Sequence, residues 1–307
     1  MALSLPLAAL LLVGLGCRPP ASSDSGFPTV QLGSRAGSSM VLQEGLHRLY
    51  VAEPDLPVIS VLDATSLARI DEITVQGHAE QLALSPDGGV LYAVDRGASR
   101  LVAVDLRTGR QRSVGAGSDP IGVVTDDAGR IYVTDFAGNS VDRYDPDTLQ
   151  RTRSWSPGFG DDLAPVDVDG PPSRGWDPRD LAFDATRGHL LISHHFVNRI
   201  SFVDVDSEAV VAAIFGDVTA TDDAGDSQGI PYGFGAMAVG EDLAVVPHFL
   251  WNPTQAVDPE QTVWPALSLV DLDAMAFSGR LERGAGLDVA SDGSSPHLYG
   301  FYCAEAS

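Results

Sequence analysis

The chain contains no lysine. All 19 of its permanent cations are arginines, set against 42 aspartates and glutamates, for a net charge of −23 over 307 residues. Without a lysine amine, Schiff-base chemistry is excluded. The acidic surplus argues against nucleic-acid phosphates or anionic lipid heads as partners held by broad electrostatics, so no nucleic-acid partner is expected. Cysteine is scarce: Cys17 and Cys303 are the two present. There is no CxxC or CxxCH, which leaves no haem motif, iron–sulfur cluster or cysteine zinc site within this chain. Neither a Gly-x-Ser-x-Gly elbow nor an HExxH motif occurs. Helical periodicity is nearly missing beyond residue 20, which points to an all-β class.

What the chain does have is a repeated unit. Residues 82–109 read LALSPDGGVLYAVDRGASRLVAVDLRTG. Three apolar runs are separated by Pro-Asp-Gly and Gly-Ala-Ser turns, a strand-and-turn pattern. RLYVAE (48–53), VLYAVD (90–95), RIYVTD (130–135), HLLISH (189–194) and DLAVVPH (242–248) hold the same place in five copies. A second apolar strand follows each, ending at Asp63, Asp105, Asp145, Asp204 and Asp271. In the first three copies these aspartates recur about every 40 residues, the period of propeller blades; the later copies carry insertions. The aspartates themselves read as turn formers. The predicted fold is a β-propeller of four-stranded blades, about five full blades plus a partial sixth.

The chain divides into a signal or lipoprotein segment (1–17), a tether (18–38), the propeller (39–302) and a short tail (303–307). Blades one to five are expected at 39–76, 79–115, 119–156, 178–215 and 234–282. A sixth copy starts at Gly286 and stops in mid-blade. Either it closes the ring with a strand at Thr29–Leu32, or further blades belong to a longer protein. An open ring exposes strand edges, and one N-terminal strand cannot supply both strands that the sixth copy lacks, which favours the longer protein.

Leu3 to Gly16 is an apolar run ending at Gly16-Cys17, with Arg18-Pro19-Pro20 and a Ser-rich stretch behind it. It is too short to span a bilayer and has the form of a secretory signal. It resembles the lipobox of bacterial lipoproteins, which implies lipid on Cys17, a membrane partner and residence in the bacterial envelope, in the periplasm or at the outer membrane. An ordinary signal cleaved nearby is the alternative, and on either reading the domain is exported.

The blade pattern resembles the YVTN-type β-propeller repeat. Its motifs stand here as Ser85-Pro86-Asp87-Gly88, Ile131-Tyr132-Val133-Thr134-Asp135, Ile59-Ser60-Val61-Leu62-Asp63, and Val114-Gly115 with Asp119-Pro120. The likeness runs over about residues 39 to 302 and speaks to fold far more than to function. His194-His195 and Val246-Pro247-His248 also resemble stretches of propellers that continue into c-type cytochrome or cytochrome-peroxidase-like domains. That likeness implies a redox association.

Three insertions, Ser156–Asp177, Gly216–Tyr232 and Phe249–Pro265, fall on one predicted face. They are rich in aspartate (Asp161, Asp162, Asp167, Asp169, Asp217, Asp222, Asp223, Asp226) and carry Phe159, Trp176, Tyr232, Phe249, Trp251 and Trp264. Long loops on a rigid scaffold build binding surfaces. Asp119, Asp177, Arg179, Trp176, Tyr232 and Trp251 are the predicted binding face, for a protein or small-molecule ligand. The last residue of each second strand gives a second constellation: Glu53, Asp95, Asp135, His194 and His248. Imidazoles and carboxylates ringed on one side suit a divalent metal; the same repeat position also suits turn caps bonded to nearby backbone. His78 is expected near the axis with them.

No catalytic residue is identified. The sequence therefore reads as an exported, lipid-anchored propeller acting as a binding or scaffold module. The alternative is a metal-dependent lactonase-type hydrolase with its site at the mouth of the propeller channel. That reading requires three or four ligands converging on one ion.

Overall fold

The computed structural model describes residues 35–155, 177–197, 199–216, 230–251 and 263–281. The described part is a set of antiparallel sheets, one per repeat, with no α-helix. The first strand, β1 (Arg35–Ala36), stands apart from the blades in sequence. Blade one is β2 (Met40–Gln43), β3 (Arg48–Ala52), β4 (Val58–Asp63) and β5 (Arg69–Thr74). Blade two is β6 (Ala79–Leu84), β7 (Val90–Asp95), β8 (Arg100–Asp105) and β9 (Gln111–Gly115). Blade three is β10 (Pro120–Thr125), β11 (Ile131–Asp135), β12 (Ser140–Tyr144) and β13 (Arg151–Trp155). Blade four is β14 (Pro178–Asp184), β15 (His189–His194), β16 (Arg199–Asp204) and β17 (Ala209–Phe215). Blade five holds β18 (Ile230–Tyr232), β19 (Ala238–Val239), β20 (Leu243–Trp251), β21 (Val263–Asp271) and β22 (Ala276–Leu281). The blade limits read from the repeats hold within a few residues. The expected partial sixth blade and the Thr29–Leu32 strand lie outside the described residues.

The second strands of blades two, three and four are buried on both faces, and the alternation of strand side chains explains why. Along β7, Leu91 and Ala93 pack toward blade one with Tyr50, Ile59 and Leu82. Tyr92 and Val94 point the other way, into a cluster with Val123, Ile131 and Tyr144 of blade three. Blades three and four share Tyr132, Trp155, Leu181, Leu190 and Ile192. Blades four and five share Phe202, Phe234, Met237, Val246 and Val270. No blade covers its own apolar faces, so each needs a neighbour.

Polar latches run between blades at the outer ends of these clusters. Gln43 Nε2 donates to the Gly88 carbonyl at 2.6 Å, tying blade one to blade two. Arg112 donates to the Pro146 carbonyl at 3.0 Å, tying two to three. Arg130 pairs with buried Asp126 in its own blade and reaches Asp206 of blade four at 3.1 Å. Arg187 joins Asp184 of blade four to Asp273 and Asp242 of blade five. Two ends of the propeller follow from strand direction. We call the end at which first strands begin and second strands finish the mouth. The floor is the opposite end, where the Asp-headed turns lie.

The five repeated aspartates do form turns. Asp63 Oδ1 accepts from the Thr65 and Ser66 amides at 3.1 and 2.7 Å; Asp105, Asp145, Asp204 and Asp271 do the same two or three residues on. The fourth residue after each aspartate has positive φ: Leu67, Gly109, Leu149, Glu208 and Met275. Hydrogen bonds to these exposed carboxylates lower the pKa values of Asp63, Asp105, Asp145 and Asp204.

The segment before blade one departs from the sequence reading. Residues 35–38 were expected to end a tether. Instead β1 pairs antiparallel with β14, Arg35 opposite Phe183 and Ala36 opposite Ala182. Ser38 bridges Leu82 of β6, and a side chain on Gly37 would collide with Gln81 and the Val123 carbonyl, each 2.7 Å from its Cβ position. β1 also lies against β10 and β19. This short stretch therefore crosses the ring axis in contact with the innermost strands of four blades.

Two outcomes follow from the turns. A left-handed backbone costs a non-glycine residue about 1–2 kcal/mol, while glycine returns about 0.5–1 kcal/mol through chain entropy. Leu67 is exposed, so Leu67→Gly should stabilise the protein by about 0.5 kcal/mol in urea unfolding, by the same two terms. Leu149 is buried in the core, and Leu149→Gly should cost about 2 kcal/mol despite the same backbone. The lowered carboxylates contribute stability that is present above the unfolded-state value and is lost as pH falls through the folded-state values. Melting temperature should therefore drop below pH 4, and Asp105→Ala should lower it at pH 7 while flattening that acid limb.

Candidate functional site

The residues that close the second strands meet the mouth, but their side chains turn into the protein. Asp95 accepts from the Ala98 amide at 2.9 Å and from Arg100 Nη2 at 3.0 Å. Asp135 accepts from the Gly138, Ser118 and Asp119 amides, each at 2.9 Å. The approach is so close that a Cβ on Gly117, where φ is +85°, would sit 2.1 Å from Asp135 Oδ2. His194 Nε2 is hydrogen-bonded to Ser201 Oγ at 2.9 Å, and His248 Nε2 to Ser268 Oγ at 2.8 Å. Glu53 accepts from Ser60 Oγ at 2.8 Å.

Four of the five are buried, so the expected open ring of imidazoles and carboxylates is not what the fold presents. Asp95, His194, His248 and Glu53 bond partners in their own blades, and Asp135 takes amides from its own turn and from the linker before β10. Among the described residues no three His, Cys, Asp or Glu side chains converge as ligands for one ion. His78, expected near the axis, is exposed and bonds the Pro54 carbonyl at 2.9 Å. A sequence signal for the buried pairs exists. Glu53 and Ser60, like His194 and Ser201, stand seven apart, which places each serine across the turn on the neighbouring strand.

One residue further on, the chain faces outward. Arg96, Phe136 and His195 each follow the last residue of a second strand and open the turn to the third. The turns are pinned from below: the Phe136 amide donates to the Asp119 carbonyl at 2.9 Å and the His195 amide to the Asp177 carbonyl at 3.0 Å. Arg96 makes a two-pronged bond to Asp119 of blade three, at 2.5 and 2.9 Å.

An aromatic patch occupies the mouth between blades three and five. The Phe136 ring lies 6.2 Å from His195 and 6.0 Å from Phe196, and His195 and Phe196 meet edge to face at 4.6 Å. Phe196 is 54 % exposed. Beyond the Gly233 amide, which donates to the His195 carbonyl at 2.9 Å, Tyr232 and Phe249 stack at 5.8 Å. Gly233 has a φ of +70°, and a Cβ there would press on His195 Cε1 at 3.3 Å.

The third insertion was expected to be loop from Phe249 onward. Instead Phe249-Leu250-Trp251 extends β20, paired with Val263-Trp264-Pro265 of β21 and flanked by β18. Alternating apolar residues with a partner strand on each side make that extension a sheet rather than a loop. Trp251 lies exposed at its end.

Burial, and secondarily the nearby Arg179 cation, push the His195 imidazole down to about 4, against a smaller opposing effect from the Phe234 backbone. His195 is thus neutral at physiological pH. Arg179 is half-buried, 3.4 Å from Asp180. Asp177 sits at a φ of +40°, its amide donating to Asn139 Oδ1 at 3.1 Å. Of the predicted binding face, Asp119, Asp177, Arg179, Tyr232 and Trp251 all lie at the mouth; Trp176 and the lipidation candidate Cys17 lie outside the described residues. Phe136, His195 and Phe196 were not singled out by sequence reasoning. Their signal was available: each follows the last residue of a second strand, in the turn to the third.

Chemically, the patch offers π faces, a neutral imidazole and a guanidinium. Aromatic and arginine side chains dominate contact energetics when a partner covers them. The buried histidines have a different role. His194→Ala and His248→Ala should each lower stability by about 2–3 kcal/mol, from the cavity and the unpaired serine. Urea unfolding of each variant at neutral pH measures this, and values within about 0.5 kcal/mol of the parent would match ordinary exposed positions instead.

No family model matches the chain, and no curated protein matches it in sequence. Solved structures do. The chain is similar to Kuenenia stuttgartiensis hydrazine synthase, with 15 % identity over 85 % of this chain and 69 % of that one, and a TM-score of 0.61. It is similar to the β-propeller domain of Cps50 (Swd1) from Myceliophteria thermophila, with 11 % identity over 83 % of this chain and 88 % of that one, at a TM-score of 0.50. A chain of a nidogen/laminin complex aligns at 16 % identity over 80 % of each chain, with a TM-score of 0.53. At these identities the likeness is one of architecture, and with the four-stranded sheets it establishes that the chain folds as a β-propeller.

Proposed function

We propose that this protein is an exported propeller that serves as a binding and scaffold module, with the aromatic mouth between blades three and five as its docking surface for a partner protein. The single observation that carries the reading is the Phe136–His195–Phe196 cluster: three rings in mutual contact, with Phe196 more than half exposed, on turns pinned by backbone hydrogen bonds. Rigid, partly exposed aromatic groups lose little entropy when covered, which is why such residues anchor interfaces. The propeller in the nidogen/laminin complex is an architectural neighbour solved with a protein partner.

The N-terminal segment supports anchoring through lipid on Cys17, in the bacterial envelope. The likeness of the later repeats to cytochrome-linked propellers makes a redox protein the favoured partner class. The hydrolase alternative has less support. A site at the axial mouth requires converging ligands that the described residues do not bring together.

The test is cross-linking of the full chain in its native envelope, with partners identified by mass spectrometry and rebound in purified form. Phe136→Ala with Phe196→Ala should weaken rebinding at least tenfold, about 1.4 kcal/mol or more, while Thr65→Ala on the floor leaves it unchanged. Because His195 stays neutral down to about 4, affinity through this patch should be flat from pH 5 to pH 8. A partner whose affinity ignores the mouth variants would refute the assignment.

A further inference from the structure

We infer that the tether leaves the propeller at its floor, so that a molecule anchored at Cys17 stands with its floor toward the bilayer and its aromatic mouth toward the aqueous compartment. This rests on the anchoring reading above and adds an orientation to it.

The direction of β1 carries the inference. β14 runs from the mouth, where Pro178 faces His194, to the floor, where Asp184 faces His189. β1 is antiparallel to it and therefore climbs from floor to mouth. Arg35 stands level with Phe183, one residue short of the floor end of β14. Further up, the Gly37 amide donates to the Leu181 carbonyl at 2.7 Å and Ser38 bridges Leu82. Ser39 reaches mouth level, its carbonyl accepting from the Ala52 amide at 2.7 Å. The chain then turns down into β2, whose last residue, Gln43, bonds floor-side Gly88. Arg35 is thus the floor-side end of β1, and it is there that the proposal has the tether join.

Length and charge fit this orientation. Residues 18–34 could reach at most about 60 Å if extended, and an average coil of that length spans about 20–25 Å. The faces are about 20 Å apart, the length of six-residue strands. A floor-side anchor needs none of that reach to pass around the blades. The floor carries the turn aspartates Asp63, Asp105, Asp145 and Asp204, whose hydrogen bonds favour the charged form. An anionic headgroup surface repels such a ring, so the tether, rather than adsorption, sets the distance from the bilayer. The mouth is left clear for a partner arriving from solution.

The experiment uses the full acylated chain on phosphatidylcholine vesicles that carry an acceptor dye on their headgroups. A donor is introduced by amber suppression at Thr65 on the floor or at Ala98 on the mouth, both exposed turn positions. Energy transfer to the bilayer should be several-fold stronger from position 65. Equal or stronger transfer from position 98 would overturn the orientation. Cys17→Ser should leave the protein off the vesicles; if it stays bound, the anchoring reading fails by itself. The exit side is then decided in the soluble chain by transfer from a donor at Val30 to acceptors at the same two positions. Stronger transfer to position 65 upholds the floor exit, and stronger transfer to position 98 refutes it.

Discussion

Everything in this structure depends on sheets that are apolar on both faces. A blade such as β6–β9 buries Leu91 and Ala93 on one side and Tyr92 and Val94 on the other, and cannot shield either alone. Burial of apolar surface, at about 25 cal/mol per Å², is gained only when the next repeat stacks against it. The repeats therefore form one cooperative body. The apolar contact is non-directional, so the polar latches set the angle between blades. In a chain without lysine these fall to arginine, whose planar fork can join two partners at once. Arg187 and Arg130 both do this, reaching across to the next blade from a carboxylate in their own.

The same logic explains why the axis is filled by the chain itself. Innermost strands that converge on an axis leave backbone groups and small side chains facing one another. Here Arg35–Ser38 supplies backbone partners to β14 and β6, and Gly37 is the residue that can pass between Gln81 and Val123 without a clash. A segment with turn-like composition, Arg-Ala-Gly-Ser-Ser at 35–39, thereby becomes structural. It runs antiparallel to β14, with Arg35 on the floor side and Ser39 at mouth level.

The mouth shows how much hangs on a shift of one residue. The strands end at positions 95, 135 and 194, whose side chains are buried, and Arg96, Phe136 and His195 fall just beyond, in turns at the mouth. Inward positions tolerate either carboxylate or imidazole because each finds a local partner: amides for Asp135, serine hydroxyls for His194 and His248. Outward positions are unconstrained by the repeat, and they differ between blades. Arg96 makes an ion pair with Asp119, while Phe136 and His195 make an aromatic surface. Variation imposed on a constant scaffold is where a repeat protein acquires a binding site.

The sequence by itself determined the class, the repeat, the blade limits and the turn role of the five aspartates. These are local properties: strand alternation, turn chemistry and spacing are written in consecutive residues. It also grouped Asp119, Asp177, Arg179, Tyr232 and Trp251 on one face, and all five do lie at the mouth. It misjudged which way the second-strand termini turn, took the end of blade five's second strand for a loop, and read an axial segment as tether. These had to be read from the folded chain: the termini turn on side chains of the neighbouring strand, and the sheet extension and the axial strand on partners further off in sequence. Ser268 bonds His248, Val263 extends the sheet at Trp251, and Phe183 receives Arg35. Periodicity along one strand carries no record of what lies across from it.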